Sequence, residues 1–256
     1  KAQVLVDVPV TLNTLTPITI TAISTDTGAS AIDFTTNDKT LTYTGQLPAS
    51  YDSASQRVLV QLTDKATGAT SDIGFATVNG TTWTLDNETV TQAQGKYTIT
   101  ATIVGLNDLT PVAAYGSQGV AKENMTIDTT TPTVIVTRSG SANLGATGTE
   151  TITFTLSEDS TDFTSADVAV TGGTISNFSG SGKTYTATFI PNSAFTGTAT
   201  VGVESSKFSD AAGNLNKDTF ASGVSGAVTE TDNKVDIAVD ATPPTQTVTL
   251  SSMTKD

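Results

Sequence analysis

The sequence contains no cysteine and no histidine. Without Cys it can form no disulfide, thiolate nucleophile or zinc–thiolate site. Without His it has no Ser-His-Asp or Cys-His catalytic group and no imidazole metal ligand. Catalysis would have to depend on carboxylates, Lys or Tyr, and we expect a protein that is not an enzyme.

Positive charge is also scarce. The chain has 12 Lys+Arg against 25 Asp+Glu, a formal net charge of -13 and a pI of about 4.2. Such a chain cannot neutralise a row of phosphates, which argues against nucleic acid and anionic membrane surfaces as partners. No apolar run approaches the roughly 18 residues of a membrane helix, so we expect no membrane insertion.

The most prominent features of the sequence are its high threonine content and a long internal repeat. Thr accounts for 54 of the 256 residues, and β-branched residues favour strands. An aliphatic–Asp–Thr–Pro pattern recurs around Pro17, Pro132 and Pro243, which are 115 and 111 residues apart. This period is too long for a helical solenoid and matches a β-sandwich of about 100 residues.

Within each repeat, polar and apolar residues alternate with a period of two. Examples are 40–44 and 97–103 in the first repeat, and 151–156 and 184–189 in the second. Alternation of this kind predicts strands with one face in a core and one in water. We therefore predict an all-β chain of tandem immunoglobulin-like β-sandwich modules, joined end to end by short Asp/Thr/Pro linkers.

The repeat also predicts the module boundaries. Residues 1–16 are assigned as a linker from a preceding repeat, 17–130 as module 1, 131–241 as module 2 and 242–256 as the start of a third module. Since the chain begins and ends in such repeat sequence, we expect it to be part of a longer protein.

Acidic residues are concentrated in loops, where Asp is far commoner than Glu. In a seven-strand sandwich, the linker before module 2, the loop after its second strand and the loop after its sixth strand fall at one end. Hard cations such as Ca²⁺ prefer oxygen ligands of this kind. The candidate ligands are Asp128, Glu158, Asp159, Asp162, Asp210 and Asn214.

A second candidate group lies in module 1. Asp26, Asp33 and Asp38 belong to the long loop after its first strand, and the topology places that loop at the exit end of the module. Without a cation, clustered carboxylates repel one another and are costly to desolvate. The alternative for both groups is that Asp and Asn serve as turn residues and solvated charge.

Several motifs resemble a known family. They are Phe208-Ser209-Asp210-Ala211-Ala212-Gly213-Asn214, Ser157-Glu158-Asp159 and 163–168 in module 2, and 23–28, 34–38, Thr82-Trp83-Thr84 and Ile127-Asp128-Thr129 in module 1. These resemble the tandem bacterial Ig-like extender repeats of giant type I-secreted RTX and biofilm-associated adhesins. Module 1 departs from them at Leu106-Asn107-Asp108-Leu109, where sister repeats carry an Asp-Ala-Ala-Gly-Asn loop.

The resemblance implies a monomeric, extracellular spacer on the bacterial cell surface. Ca²⁺ would stiffen the junctions between neighbouring repeats of the chain, and distal domains would bind the target in cell adhesion or biofilm formation. The alternative is that one sandwich is itself a glycan- or protein-binding module. That alternative requires an exposed aromatic cluster, for which Tyr51 and Tyr115 are the candidates, whereas Trp83 is predicted to be a core residue.

Overall fold

The computed structural model describes residues 16–140, 143–218 and 232–242. Residues 1–15 of the predicted first linker, and the predicted third module beyond Thr242, lie outside them. The chain divides into two compact units between Thr129 and Thr130. No helix in the described ranges is both long and apolar enough to cross a membrane.

The first unit consists of two facing sheets. Its strands are β1 (Thr19–Ile23), β2 (Thr35–Thr36), β3 (Leu41–Gln46), β4 (Gln56–Asp64), β5 (Thr70–Phe75), β6 (Thr77–Asn79), β7 (Thr82–Asn87), β8 (Gly95–Gly105) and β9 (Val120–Ile127). One sheet has the order β1-β3-β7-β6 and the other β2-β9-β8-β4-β5. The pairs are antiparallel except β2 with β9, which is parallel.

The second unit repeats this architecture. Its strands are β10 (Val134–Arg138), β11 (Leu144–Gly145), β12 (Glu150–Ser160), β13 (Val168–Thr171), β14 (Gly173–Pro191), β15 (Thr196–Val203) and β16 (Lys234–Asp240). The sheets have the orders β10-β12-β14 and β11-β16-β15-β13. As in the first unit, a two-residue strand runs parallel to the end of the last strand, here β11 against β16.

The predicted alternation determines which side chains form each core. In β3, Leu41 and Tyr43 are buried and the intervening Thr residues are half-exposed. In β12, Ile152, Phe154 and Leu156 are buried in the same way. At roughly 25 cal/mol per Å² of apolar surface removed from water, these inward faces supply the main force that holds the sheets together.

Trp83 is a core residue, which confirms the prediction. It is 0% exposed, and its indole Nε1 donates a hydrogen bond to the Thr19 carbonyl at 3.0 Å. Trp83 therefore ties β7 to β1 across β3 and offers no ring face to a sugar. The core of the second unit is instead built around Phe154, Phe163, Tyr185 and Phe208. The ring centroid of Phe163 lies 5.0–5.6 Å from the ring centroids of the other three.

Tyr43 brings a hydroxyl into the apolar core of the first unit. Its side chain is 0% exposed, and the hydroxyl has no hydrogen-bond partner among the described residues. Burial, with a smaller contribution from Tyr97, raises the pKa of Tyr43 well above 10.0. An unsatisfied buried hydroxyl costs about 1–3 kcal/mol.

We predict that Tyr43→Phe leaves the free energy of unfolding of the first unit unchanged or raises it by about 1 kcal/mol, because the orphan hydroxyl is removed while the ring is kept. Urea denaturation followed by Trp83 fluorescence measures this. The matched control is Tyr97→Phe, since the Tyr97 hydroxyl donates to the Ala93 carbonyl at 2.9 Å. That control should lose stability, and a larger loss in Tyr43→Phe than in the control would contradict the prediction.

Candidate metal centre

The loop between β15 and β16 holds its acidic side chains in fixed positions. Asp210 is 6% exposed. Its Oδ1 accepts the Asn214 backbone N–H at 2.9 Å, and its Oδ2 accepts Asn214 Nδ2 at 2.8 Å. Gly213, with φ +82°, permits the tight turn between the two residues. The Asp-Ala-Ala-Gly-Asn segment therefore orients one carboxylate before any ligand binds.

A second buried network lies in the same loop. Asn216 Oδ1 accepts the N–H groups of Lys207 and Phe208 at 2.6 and 3.1 Å, and its Nδ2 donates to Asp218 Oδ2 at 2.6 Å. Asp218 Oδ1 accepts the Val134 N–H at 3.1 Å. The network thus joins the loop to the first residue of β10. Neither Asn216 nor Asp218 is among the predicted site residues, although the alternating polar residues of 214–218 could have indicated them.

Three of the predicted ligands come together. Asp128 follows β9, Glu158 lies near the end of β12, and Asp210 lies in the fixed loop. Each offers a carboxylate oxygen, and the three oxygens lie within 4.8 Å of one another. Asp210 is buried, and the other two are half-buried.

These distances suit a calcium ion. Ca²⁺ binds oxygens at about 2.3–2.6 Å, so two ligands on opposite sides of one ion are at most about 4.6–5.2 Å apart. Carboxylate oxygens without thiolate or imidazole are the donor set of a hard cation.

The other predicted ligands of module 2 have different positions. Asp159 lies beside Gly182 of β14, where its Oδ1 would be 3.1 Å from a Cβ added to the glycine, and it is not in the three-carboxylate group. Asn214 contacts the group through Asp210.

Asp162 acts as a structural link. Its carboxylate accepts hydrogen bonds from the Ser209 N–H and hydroxyl and from the Ser160 hydroxyl at 2.7–2.9 Å. Burial by itself would raise the pKa of Asp162, but the hydrogen bonds from Ser209 and Ser160 outweigh it and hold the pKa below 3.8. Asp162 therefore fastens the loop after β12 to the loop that carries Asp210.

The candidate residues of module 1 occupy turns. Asp33 Oδ1 accepts the Thr35 N–H, and Asp38 Oδ1 accepts the Thr40 N–H, both at 2.9 Å. Both contacts have the spacing of an Asx turn. Asp26 Oδ2 accepts the Phe34 N–H at 3.1 Å. Within the described ranges these three residues form no group comparable to that of Asp128, and their role as metal ligands stays a prediction.

The two tyrosines proposed for ligand binding support the fold instead. The Tyr115 side chain is 5% exposed, and its hydroxyl lies 2.8 Å from the Ser50 carbonyl and 3.0 Å from Gln56 Oε1. The hydroxyl of Tyr51 donates to the Gln56 carbonyl at 3.0 Å. Neither residue contributes to an exposed aromatic cluster.

Comparison with known proteins supports the fold. Residues 128–232 match the family model of a bacterial Ig-like domain. The second unit is thus similar to bacterial immunoglobulin-like domains, and the match begins at Asp128 and includes all three carboxylates. Together with the paired sheets of both units, it confirms the predicted all-β, immunoglobulin-like sandwich class.

Similar solved structures include invasin, a bacterial integrin-binding protein, at 15% identity and a TM-score of 0.31, with 89% of this chain and 40% of that chain covered. Another is Dpr2 Ig1–Ig2 in complex with DIP-Theta Ig1–Ig3, at 11% identity and a TM-score of 0.23, with 90% of this chain and 96% of that chain covered. Global similarity at this level carries no functional argument. The chain spans less than half of the invasin chain, and no curated protein matches it.

We predict that Asp218→Asn lowers the free energy of unfolding of the second unit by about 1–3 kcal/mol, because one of its carboxylate oxygens becomes an NH₂ facing a donor. Urea denaturation measures the loss. Asp236→Asn is the control, since the Asp236 side chain is 53% exposed and its Oδ1 accepts the Thr200 hydroxyl at 3.1 Å. Equal stability of the two variants would contradict a structural role for Asp218.

Proposed function

We propose that this chain is a pair of extender modules from a large bacterial surface adhesin, and that calcium stiffens it. The three-carboxylate group of Asp128, Glu158 and Asp210 is the observation that carries the proposal. It lies within the segment similar to a bacterial Ig-like domain, and its donor set suits a hard cation.

Calcium would act through the chain's own carboxylates. Asp210, oriented by Asn214, would provide a fixed ligand from the loop before β16. Glu158 and Asp128 would provide ligands from the end of β12 and from the segment after β9. Bound Ca²⁺ would neutralise repulsion among the three and cross-brace segments that are far apart in sequence.

The expected stabilisation is modest and measurable. Extracellular calcium modules bind with dissociation constants of roughly 0.1–1 mM. At about 1 mM free Ca²⁺, which is about 1–10 times such a constant, binding would stabilise the folded state by about 0.4–1.4 kcal/mol, against a total of about 5–15 kcal/mol for a typical domain. In the type I secretion pathway, this increment would be absent at the low calcium of the cytosol and gained once the chain is outside the cell.

Two observations support the role of a spacer: the acidic composition of the chain, and the use of Tyr51 and Tyr115 within the fold. Two sandwiches follow one another in one chain, and the acidic surface, with a net charge of -13, favours solubility and repels other acidic surfaces. We propose that the chain is monomeric, contacts neighbouring repeats and leaves ligand binding to distal domains. The alternative of a glycan- or protein-binding module loses its aromatic candidates, since Tyr51 and Tyr115 are hydrogen-bonded within the fold.

We predict that millimolar Ca²⁺ raises the melting temperature of the second unit and that EDTA reverses the shift. Glu158→Gln and Asp210→Asn should each abolish the calcium-dependent shift, because each removes a carboxylate from the group. Differential scanning calorimetry of the full chain measures it, with isothermal titration of Ca²⁺ as a second readout.

The matched control is Asp159→Asn, which changes the neighbouring acid that lies outside the group and should keep the full shift. Asp26→Asn tests the predicted first-module ligands in the same assay. Identical melting curves in EDTA and in calcium would end the calcium proposal. If the rise in melting temperature survived in Glu158→Gln, the calcium would be bound at another site.

The proposal that calcium stiffens the chain has a separate test. Small-angle scattering of the full chain should show a narrower distribution of long interatomic distances with Ca²⁺ than with EDTA. Glu158→Gln should give the EDTA profile in both buffers. Calcium binding with an unchanged profile would reject stiffening while leaving the metal site in place.

A further inference from the structure

The hairpin between β6 and β7 contains a chemically reactive pair, Asn79 and Gly80. Asn79 pairs with Thr82 across the hairpin, so Gly80 and Thr81 form a two-residue loop. Gly80 has φ +60°, which fits the first loop position of a type II′ turn. Both members of the pair are exposed.

Nothing in the described part of the chain protects this pair. A Cβ added to Gly80 would meet no atom within 4 Å. Within the described ranges, neither the Gly80 N–H nor the Asn79 side chain has a hydrogen-bond partner. β6 is also the edge strand of its sheet, so small backbone movements there break few contacts.

We propose that Asn79 is a site of spontaneous deamidation through a succinimide. The Gly80 backbone nitrogen attacks Asn79 Cγ, a new N–Cγ bond forms, and the Cγ–Nδ2 bond breaks. Ammonia leaves with the proton lost from the Gly80 amide. Water then opens the ring at one of its two carbonyls and gives aspartate or isoaspartate at position 79. No oxidant, metal or enzyme is required.

The sequence and the structure select Asn79 from the other asparagines. Of the 12 Asn residues, Asn79 alone is followed by Gly, and a side chain on the following residue hinders ring closure. Asn216 and Asn233 are 2% and 0% exposed. Asn177 is exposed and has φ +51°, but Phe178 follows it.

The modification would weaken the first unit at a defined point. Isoaspartate adds a methylene to the backbone of β6 directly beside the Val78–Trp83 pair. The lengthened strand cannot keep register with β7, and a one-residue slip in register would turn side chains to the wrong face. Because β6 is an edge strand, the pairing of β3 with β7 would survive. A long-lived extracellular protein would accumulate this change with age.

The experiment ages the purified full chain for weeks in weakly alkaline buffer. Its intact mass should rise by one mass unit, because an amide NH₂ is replaced by OH. Peptide mapping should place this change at Asn79. Labelling by isoaspartyl methyltransferase should detect isoaspartate in the same peptide. Asn79→Thr, which introduces the residue type that already stands at Thr77 in the same strand, should abolish both signals.

Asn177→Thr is the matched control and should age like the unchanged chain. Peptide mapping of the unchanged chain does not depend on the folding of any variant. The proposal would be overturned if another Asn deamidated faster than Asn79. It would also be overturned if Asn79 stayed an amide in the folded chain while it deamidated in the urea-unfolded chain.

Discussion

The structure depends on the burial of every second side chain between two sheets. Neither unit has a disulfide, and both rely on inward faces such as Leu41 and Tyr43 or Ile152 and Phe154. The outward positions are mostly Thr, which suits a pleated, half-exposed surface. This constraint leaves the polar chemistry to the loops and to the strand ends, where the candidate metal ligands are found.

The two units hold the beginning of their first strands by different chemistry. In the first unit, the Ile18 N–H donates to the carbonyl of Gln118 at 3.0 Å. Gln118 belongs to a short 3₁₀ segment, Ala113–Gly119, which the Tyr115 hydroxyl anchors to the Ser50 carbonyl. In the second, Asp218 accepts the Val134 N–H. The loop of the first unit is anchored by an aromatic side chain, and the loop of the second unit is anchored by buried carboxylate and amide groups. The second solution holds Asp210 buried in its loop, whereas the acid of the first unit's loop, Asp108, accepts the Thr110 N–H at 3.2 Å in a local turn.

The same loop chemistry explains why the acidic residues differ in role. Asp33 and Asp38 close local turns, Asp162 links two loops, and Asp128, Glu158 and Asp210 converge. Hydrogen bonds satisfy the carboxylates of Asp33, Asp38 and Asp162, and they also orient Asp210, so hydrogen bonding by itself does not distinguish these roles. Three carboxylates brought together from separate segments repel one another, and a cation relieves that repulsion. The proposed calcium role therefore rests on convergence and not on the number of Asp residues.

The sequence by itself determined the fold class, the positions of the main strands and the core role of Trp83, because a period of two and a repeat of about 110 residues are local and translational patterns. It also indicated the segments that carry Asp128, Glu158 and Asp210, although Glu158 and Asp159 lie in β12 and not in the loop predicted after it. Only the tertiary structure separated the three from Asp159 and Asp162, since neighbouring residues of one chemistry differ in the direction of their side chains. It alone showed the Asn216–Asp218 network and the orphan Tyr43 hydroxyl, because both depend on contacts between residues far apart in sequence.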